Sequence, residues 1–111
     1  MVCKALGVKR HAAVVYPNAP DWVAGLFMLF RSETFARLKG FDARYFLYYE
    51  DVDLCARLSL SGLRVALSPE VTVVHLAQRS SHHNFKYFRW HVVSMLKFFL
   101  SGSYWRLLWR S

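Results

Sequence analysis

At 111 residues the chain is long enough for one compact core and too short for two. It is 55% hydrophobic and 17% aromatic, rich for a domain with so little interior, so part of its apolar surface is expected to face something outside the chain, either further polypeptide or a membrane. Fifteen Lys and Arg against seven Asp and Glu give a formal charge of +8, which favours anionic partners such as nucleic acid, nucleotide diphosphates or acidic lipid headgroups and does not choose among them.

The two cysteines, Cys3 and Cys55, make neither a C-x-x-C pair nor a disulfide framework, which argues against a disulfide scaffold and for reduced thiols in a cytoplasmic protein. The first ten residues hold no apolar stretch of signal-peptide length, and no run reaches the roughly 18 apolar residues of a spanning helix.

Residues 1–20 carry little periodicity and end in Pro17-Asn18-Ala19-Pro20, which reads as a linker. Trp22 to Phe30 is almost wholly apolar and predicts a strand buried on both faces. Ser32 as N-cap, Phe35 and Leu38 at helical spacing, and Gly40 as the residue after the end predict a short helix. Phe41 to Arg44 then turns into the aromatic run Tyr45 to Tyr49. A second helix is expected to start near Glu50 or Asp51 and run through Leu54, Cys55, Leu58 and Leu60 to Gly62. Leu63 to Leu67 and Val71 to His75 read as short strands split by Ser68-Pro69-Glu70. A polar loop follows, then a long helix from about Phe85 to Leu100, a break at Gly102 and an aromatic, basic tail.

The densest group of carboxylates is Glu50, Asp51 and Asp53. Asp51-Val52-Asp53 spells the D-x-D of many metal and nucleotide sites, but residues two apart on a helix point to different faces and cannot chelate one ion together. The bland account is that these carboxylates favour a helix N-terminus.

Asp21-Trp22-Val23-Ala24-Gly25, Arg31, Phe35, Gly40-Phe41-Asp42, Tyr45-Phe46, Tyr48, Glu50-Asp51-Val52-Asp53-Leu54-Cys55 and Arg57, in that order, resemble the acceptor-side, C-terminal half of family 2 glycosyltransferases, particularly the bacterial rhamnosyltransferase-like ones. The resemblance implies an α/β fold: a partial GT-A-type sheet with flanking helices and a long C-terminal helix. It divides the chain into 1–20, a linker or remnant of a nucleotide-binding half; 21–83, the acceptor-side portion; and 84–111, an amphipathic aromatic and basic helix and tail. The implied reaction is inverting transfer of a sugar, rhamnose being one candidate, from a nucleotide sugar to a glycan or lipid-linked acceptor in cell-wall polysaccharide synthesis. A chain without the nucleotide-binding half is expected to be inactive alone.

Within that reading Asp51 is the general base, since an acceptor hydroxyl is a weak nucleophile and a carboxylate in hydrogen-bond reach can take its proton. Glu50 is its orienting neighbour. Trp22, Gly25, Tyr49, Arg79 and Ser80 are candidate substrate-binding residues, with Arg79 placed to neutralise leaving-group charge. His75, at the end of an apolar run, matches the family's metal-ligating histidine. The complete enzyme would then hold a divalent Mn or Mg ion, with none expected to stay bound to this stretch alone.

Two other classes compete. Aromatics and cations interleave from Phe85 to Trp90 as in single-strand nucleic-acid binders, although no nucleic-acid motif accompanies them, which makes that partner the weaker expectation. The stripe Phe85, Phe88, Val92, Met95, Leu96 and Phe99 fits a helix lying on the inner face of the cytoplasmic membrane, and equally a core helix packed on the fold. Exposed apolar surface would also permit self-association.

Overall fold

The computed structural model describes residues 20–74 and 85–110, and the regular elements among them are four helices: α1 (Ser32–Arg37), α2 (Glu50–Leu60), α3 (Phe85–Phe99) and α4 (Gly102–Arg110).

The helix signals in the sequence act nearly where they stand. Arg31, extended and without a side-chain cap bond, takes the N-cap of α1, so Ser32 is the first helical residue instead of the cap. At the other end Lys39 and Gly40 are both left-handed, at φ 61° and 65°, one residue earlier than Gly40 alone would suggest. The Lys39 N–H donates to Ala36 O at 2.9 Å and the Gly40 N–H to Phe35 O at 3.0 Å, the paired closure that satisfies a helix's last carbonyls. The same closure ends α2: Gly62, at φ 77°, donates to Ser59 O at 2.9 Å and Leu63 donates to Leu58 O at 3.2 Å.

Helix α2 is the centre of the molecule. It buries Asp53, Leu54, Cys55, Ala56 and Leu58. Leu54 and Leu58 pack with Leu38 beneath Phe30, Phe35, Leu63 and Val65, while Ala56 packs with Tyr45 and Phe98 beside Tyr49, Val52, Tyr104 and Leu107. Between the two clusters runs a charged tie. The Arg57 Nε donates to Asp53 Oδ2 at 2.7 Å, and its two terminal nitrogens donate to the carbonyls of Leu38 and, at 2.9 Å, of Gly40. One guanidinium thus neutralises a carboxylate that is 1% exposed and caps the end of α1.

Helix α3 clamps the loop that leads into α2. Ser94 Oγ donates to Leu47 O and Lys97 Nζ to Arg44 O, both at 2.7 Å. Helix α4, expected only as a tail, is a regular helix packed on α2 and α3, opened by the Tyr104 N–H donating to Ser101 Oγ at 3.3 Å.

The expected α/β architecture is overturned. Trp22 to Phe30, Leu63 to Leu67 and Val71 to Val74 contain no strand, and no sheet exists among the described residues. A strand needs a neighbour for its backbone groups as well as apolar side chains. Here Leu26, Phe27 and Leu29 are 62%, 62% and 76% exposed, with a turn in the middle of the run. His75, the last residue of the third expected strand, lies outside the described residues.

Candidate acceptor site

The chain enters α2 through two consecutive left-handed residues, Tyr48 at φ 67° and Tyr49 at φ 66°, the second being the N-cap. Non-glycine residues hold such angles only where their surroundings over-determine them. The surroundings here are rings: His91 of α3 meets Tyr48 and Tyr49 edge-on at centroid distances of 5.0 and 5.5 Å, and Tyr49 meets Phe98 at 5.8 Å. This double turn sets Glu50 and Asp51 at the first, partly positive turn of the helix.

Asp51 is then fixed from two sides. Its Oδ2 accepts the Gly25 N–H at 2.7 Å and its Oδ1 accepts the Val52 N–H at 2.8 Å. A methyl group at position 25 would lie 3.4 Å from Asp51 Cβ and 3.6 Å from Oδ2, so a side chain there would fit but would cover the carboxylate. The neighbour that Gly25 admits is thus Asp51 itself. Each carboxylate oxygen keeps a lone pair beyond the one its backbone donor uses. Glu50 Oε2, next in sequence, is buried with no hydrogen-bond partner. Asp53 points elsewhere, into its ion pair with Arg57. The two carboxylates of the apparent D-x-D thus serve different partners.

Asp51 and Glu50 line an open groove of about 960 Å³. Trp22, Tyr48 and Tyr49 line it together with His91, Phe98, Tyr104 and Arg110. Arg110 is tied back by donating to the carbonyls of Ser59 and Leu60 at 3.1 and 3.3 Å. The groove offers two acidic side chains on a largely aromatic and aliphatic wall, a lining suited to a ligand with polar hydroxyls and apolar faces. Behind it, burial pushes the Cys55 thiol up from its ordinary value, partly offset by a hydrogen bond from the Val23 backbone, so the thiol is an inert packing group.

Of the residues singled out in the sequence, the structure brings together Asp51, Glu50, Trp22, Gly25 and Tyr49. Arg79, Ser80 and His75 lie outside the described residues. Among the described residues no three His, Cys, Asp or Glu side chains gather. His91, Phe98, Tyr104 and Arg110 were not foreseen, because they lie 40 or more positions after Asp51 and reach the groove from α3 and α4. Tyr87 and Trp90, rings that a nucleic-acid strand would need open, pack on each other at 5.4 Å, and Trp90 also packs on Phe46 at 4.9 Å.

Comparison with known proteins bears on this geometry. A family model described as the N-terminal domain of galactosyltransferase matches residues 9–98, well over half of the chain. Rhamnosyltransferase WbbL of Escherichia coli K12 is 47% identical over 79 residues, which are 70% of this chain and 30% of that protein. An N-acetylglucosaminyl-diphospho-decaprenol L-rhamnosyltransferase of Mycobacterium tuberculosis is 43% identical over 54 residues, 49% of this chain and 18% of that protein. The chain thus spans less than a third of the length of either relative. No solved structure matches it. With a family match over that share of its sequence, the chain belongs to these glycosyltransferases and is a rhamnosyltransferase-like member, the family 2 membership that its motif run implies.

Proposed function

We propose that the chain supplies the acceptor site and the general base, Asp51, of an inverting transferase that moves a sugar, rhamnose as the leading candidate, from a nucleotide sugar to a hydroxyl of a glycan or lipid-linked acceptor. The observation that carries this reading is the doubly anchored Asp51 carboxylate at the edge of an aromatic groove. The rhamnosyltransferase names of the relatives support the sugar, and the diphospho-decaprenol in one of them supports a lipid-linked acceptor.

The reaction is a single displacement. The acceptor hydroxyl donates to an Asp51 oxygen, and its own oxygen attacks the anomeric carbon from the face opposite the leaving group. As the new C–O bond forms, the bond to the nucleotide diphosphate breaks and takes its electron pair with it, while the hydroxyl proton passes to Asp51. Configuration inverts because only one displacement occurs. The backbone donors Gly25 and Val52 hold the carboxylate's rotamer, so it is in place before the acceptor arrives. Glu50 Oε2, buried and unpartnered, is suited to accept a second hydroxyl or an amide N–H of the acceptor. Aromatic walls such as Trp22 and Tyr49 suit the apolar faces of sugar rings. A divalent ion, with His75 as a candidate ligand, would neutralise the leaving diphosphate when bound.

The test is Asp51→Asn, assayed in the protein as its own gene encodes it. Turnover is expected to fall by roughly 10²–10⁴ while donor binding changes little. Near-normal turnover would reduce Asp51 to a helix-start carboxylate.

A further inference from the structure

Much of the apolar stripe of α3 is turned away from the protein. The helix buries Ser94 and Phe98 and half-buries Val92 and Met95, whereas Phe85 is 80% exposed, Phe88 59%, Leu96 52% and Leu100 78%. At 3.6 residues per turn these four exposed residues, with Arg89 and the half-buried Val92, fall within an arc of roughly 120° on the side away from the buried pair. On α4, Trp105 and Trp109, one turn apart, are also 52% and 87% exposed. Solvent is an unfavourable neighbour for so many outward aromatic and aliphatic side chains.

Charge says what kind of neighbour suits them. All seven acidic residues of the chain lie between Asp21 and Glu70, and residues 85–110 contain five Lys and Arg and no carboxylate. Hydrogen bonds from Lys97, Arg106 and Arg110 to backbone carbonyls leave their charges in place. Arg89 stands among Phe85, Phe88 and Leu96, where at headgroup depth it stays hydrated and meets phosphate, while a protein cover over this arc would have to bring its own anionic partner. Exposed Trp at the edge of an apolar stripe favours the same boundary. Neither α3 nor α4 is long and apolar enough to cross a bilayer.

We propose that the outer face of α3 and α4 is a membrane-surface site, both helices lying in the plane of an anionic leaflet with Phe85, Phe88, Leu96 and Leu100 in the acyl boundary and Arg89 among the lipid phosphates. The groove opens on the inner side of the same two helices, through His91, Phe98 and Tyr104, so a lipid surface would run along the outer side of the wall that faces Asp51.

The experiment is sedimentation of the chain with phosphatidylcholine vesicles, with and without about one third phosphatidylglycerol. No donor or acceptor is present, so the outcome does not depend on the transferase reading. Strong co-sedimentation with the anionic vesicles is expected, falling at least fivefold in half-molar salt and for Arg89→Glu, and further for the pair Phe88→Asp with Leu100→Asp. These side chains are exposed, so the variants should keep the wild-type urea midpoint. Should the apolar pair fail to fold, Arg89→Glu still decides the matter. Equal binding of wild type and Arg89→Glu would overturn the proposal. So would the absence of vesicle binding together with a concentration-dependent dimer abolished by the same substitutions, which would assign the face to a second copy of the chain.

Discussion

Residues 22–30 and 50–60 both present themselves as apolar segments built for an interior, and only one of them has an interior. In α2, Leu54 is fully buried and Leu58 nearly so, while in the earlier segment Phe27 and Leu29 stand more than half exposed on an irregular backbone. The difference lies in where the backbone finds its partners. A helix closes its hydrogen bonds within itself, so α2 forms wherever its apolar side docks. An extended segment takes its partners from elsewhere. Among the described residues the backbone of 22–30 turns to side chains of α2: the Gly25 N–H to Asp51 and the Val23 backbone to Cys55. The first segment is therefore organised by the second, through Asp51 and Cys55.

The sharpest way to break this contrast is at Arg57. Arg57→Ala would leave Asp53, 1% exposed, as an unpaired buried charge and strip the Leu38 and Gly40 carbonyls of their donor. Removing one member of a buried pair costs about 3–5 kcal/mol, a large fraction of the roughly 5–15 kcal/mol that holds a domain of this size together. Urea unfolding followed by circular dichroism should show the midpoint collapsing. A loss under about 1 kcal/mol would mean that α2 does not depend on its charged tie.

A paired measurement addresses the two segments directly. Leu54→Ala empties a fully buried site and is expected to cost about 2–5 kcal/mol. Leu29→Ala removes a side chain that is 76% exposed and should stay within about 0.5 kcal/mol. Comparable losses would show residues 22–30 to be part of the stabilising core, against the exposure they display.

Legibility in the sequence followed the same physics. Helices α1, α2 and α3 were readable because their signals are local: Gly40 and Gly62 at the ends, acidic residues opening α2, and an apolar period over Phe85 to Leu100. Helix α4 was missed although Ser101, the residue that caps it, is an ordinary N-cap type; after the Gly102 break its nine residues read by composition as an aromatic, basic tail. The sheet was wrongly inferred from apolar runs whose composition says they dislike water and nothing of what covers them. In the site, Asp51, Glu50, Gly25, Trp22 and Tyr49 were legible through the motif run, which fixes residue order. His91, Phe98 and Tyr104 were not, because their place depends on how α3 and α4 dock. The left-handed pair Tyr48-Tyr49 was equally hidden, since no glycine or asparagine advertises it. The apolar period on α3 was legible, while the choice left open between an outward and a core-facing stripe depends on Ser94 and Phe98 facing Leu47 and Tyr49.

The smallest effect is expected from a second ion pair among the described residues, and its smallness sharpens what makes Asp53 and Arg57 different. Asp42 and Arg44 meet at 2.6 Å in the turn between α1 and α2, and the side chain of Arg44 is 70% exposed. Hydrogen bonds from the Arg44 side chain hold the Asp42 carboxyl below the ordinary carboxylate range, working against a partial desolvation that pushes the other way. The folded state then binds this proton less tightly than the unfolded state does. The stabilisation is therefore complete above the ordinary aspartate value and drains away as pH falls through the lowered folded value. Water and salt screen a pair this exposed, so Asp42→Asn should shift the neutral-pH urea midpoint only slightly. The gap between wild type and variant should close in acid, and it should also narrow at neutral pH when salt is added. Other carboxylates titrate over the same range, and taking the difference between the two proteins cancels them. A gap that survives both acid and salt would show that Asp42 acts through the shape of its turn, where its Oδ1 accepts the Arg44 N–H at 2.9 Å, and not through its charge.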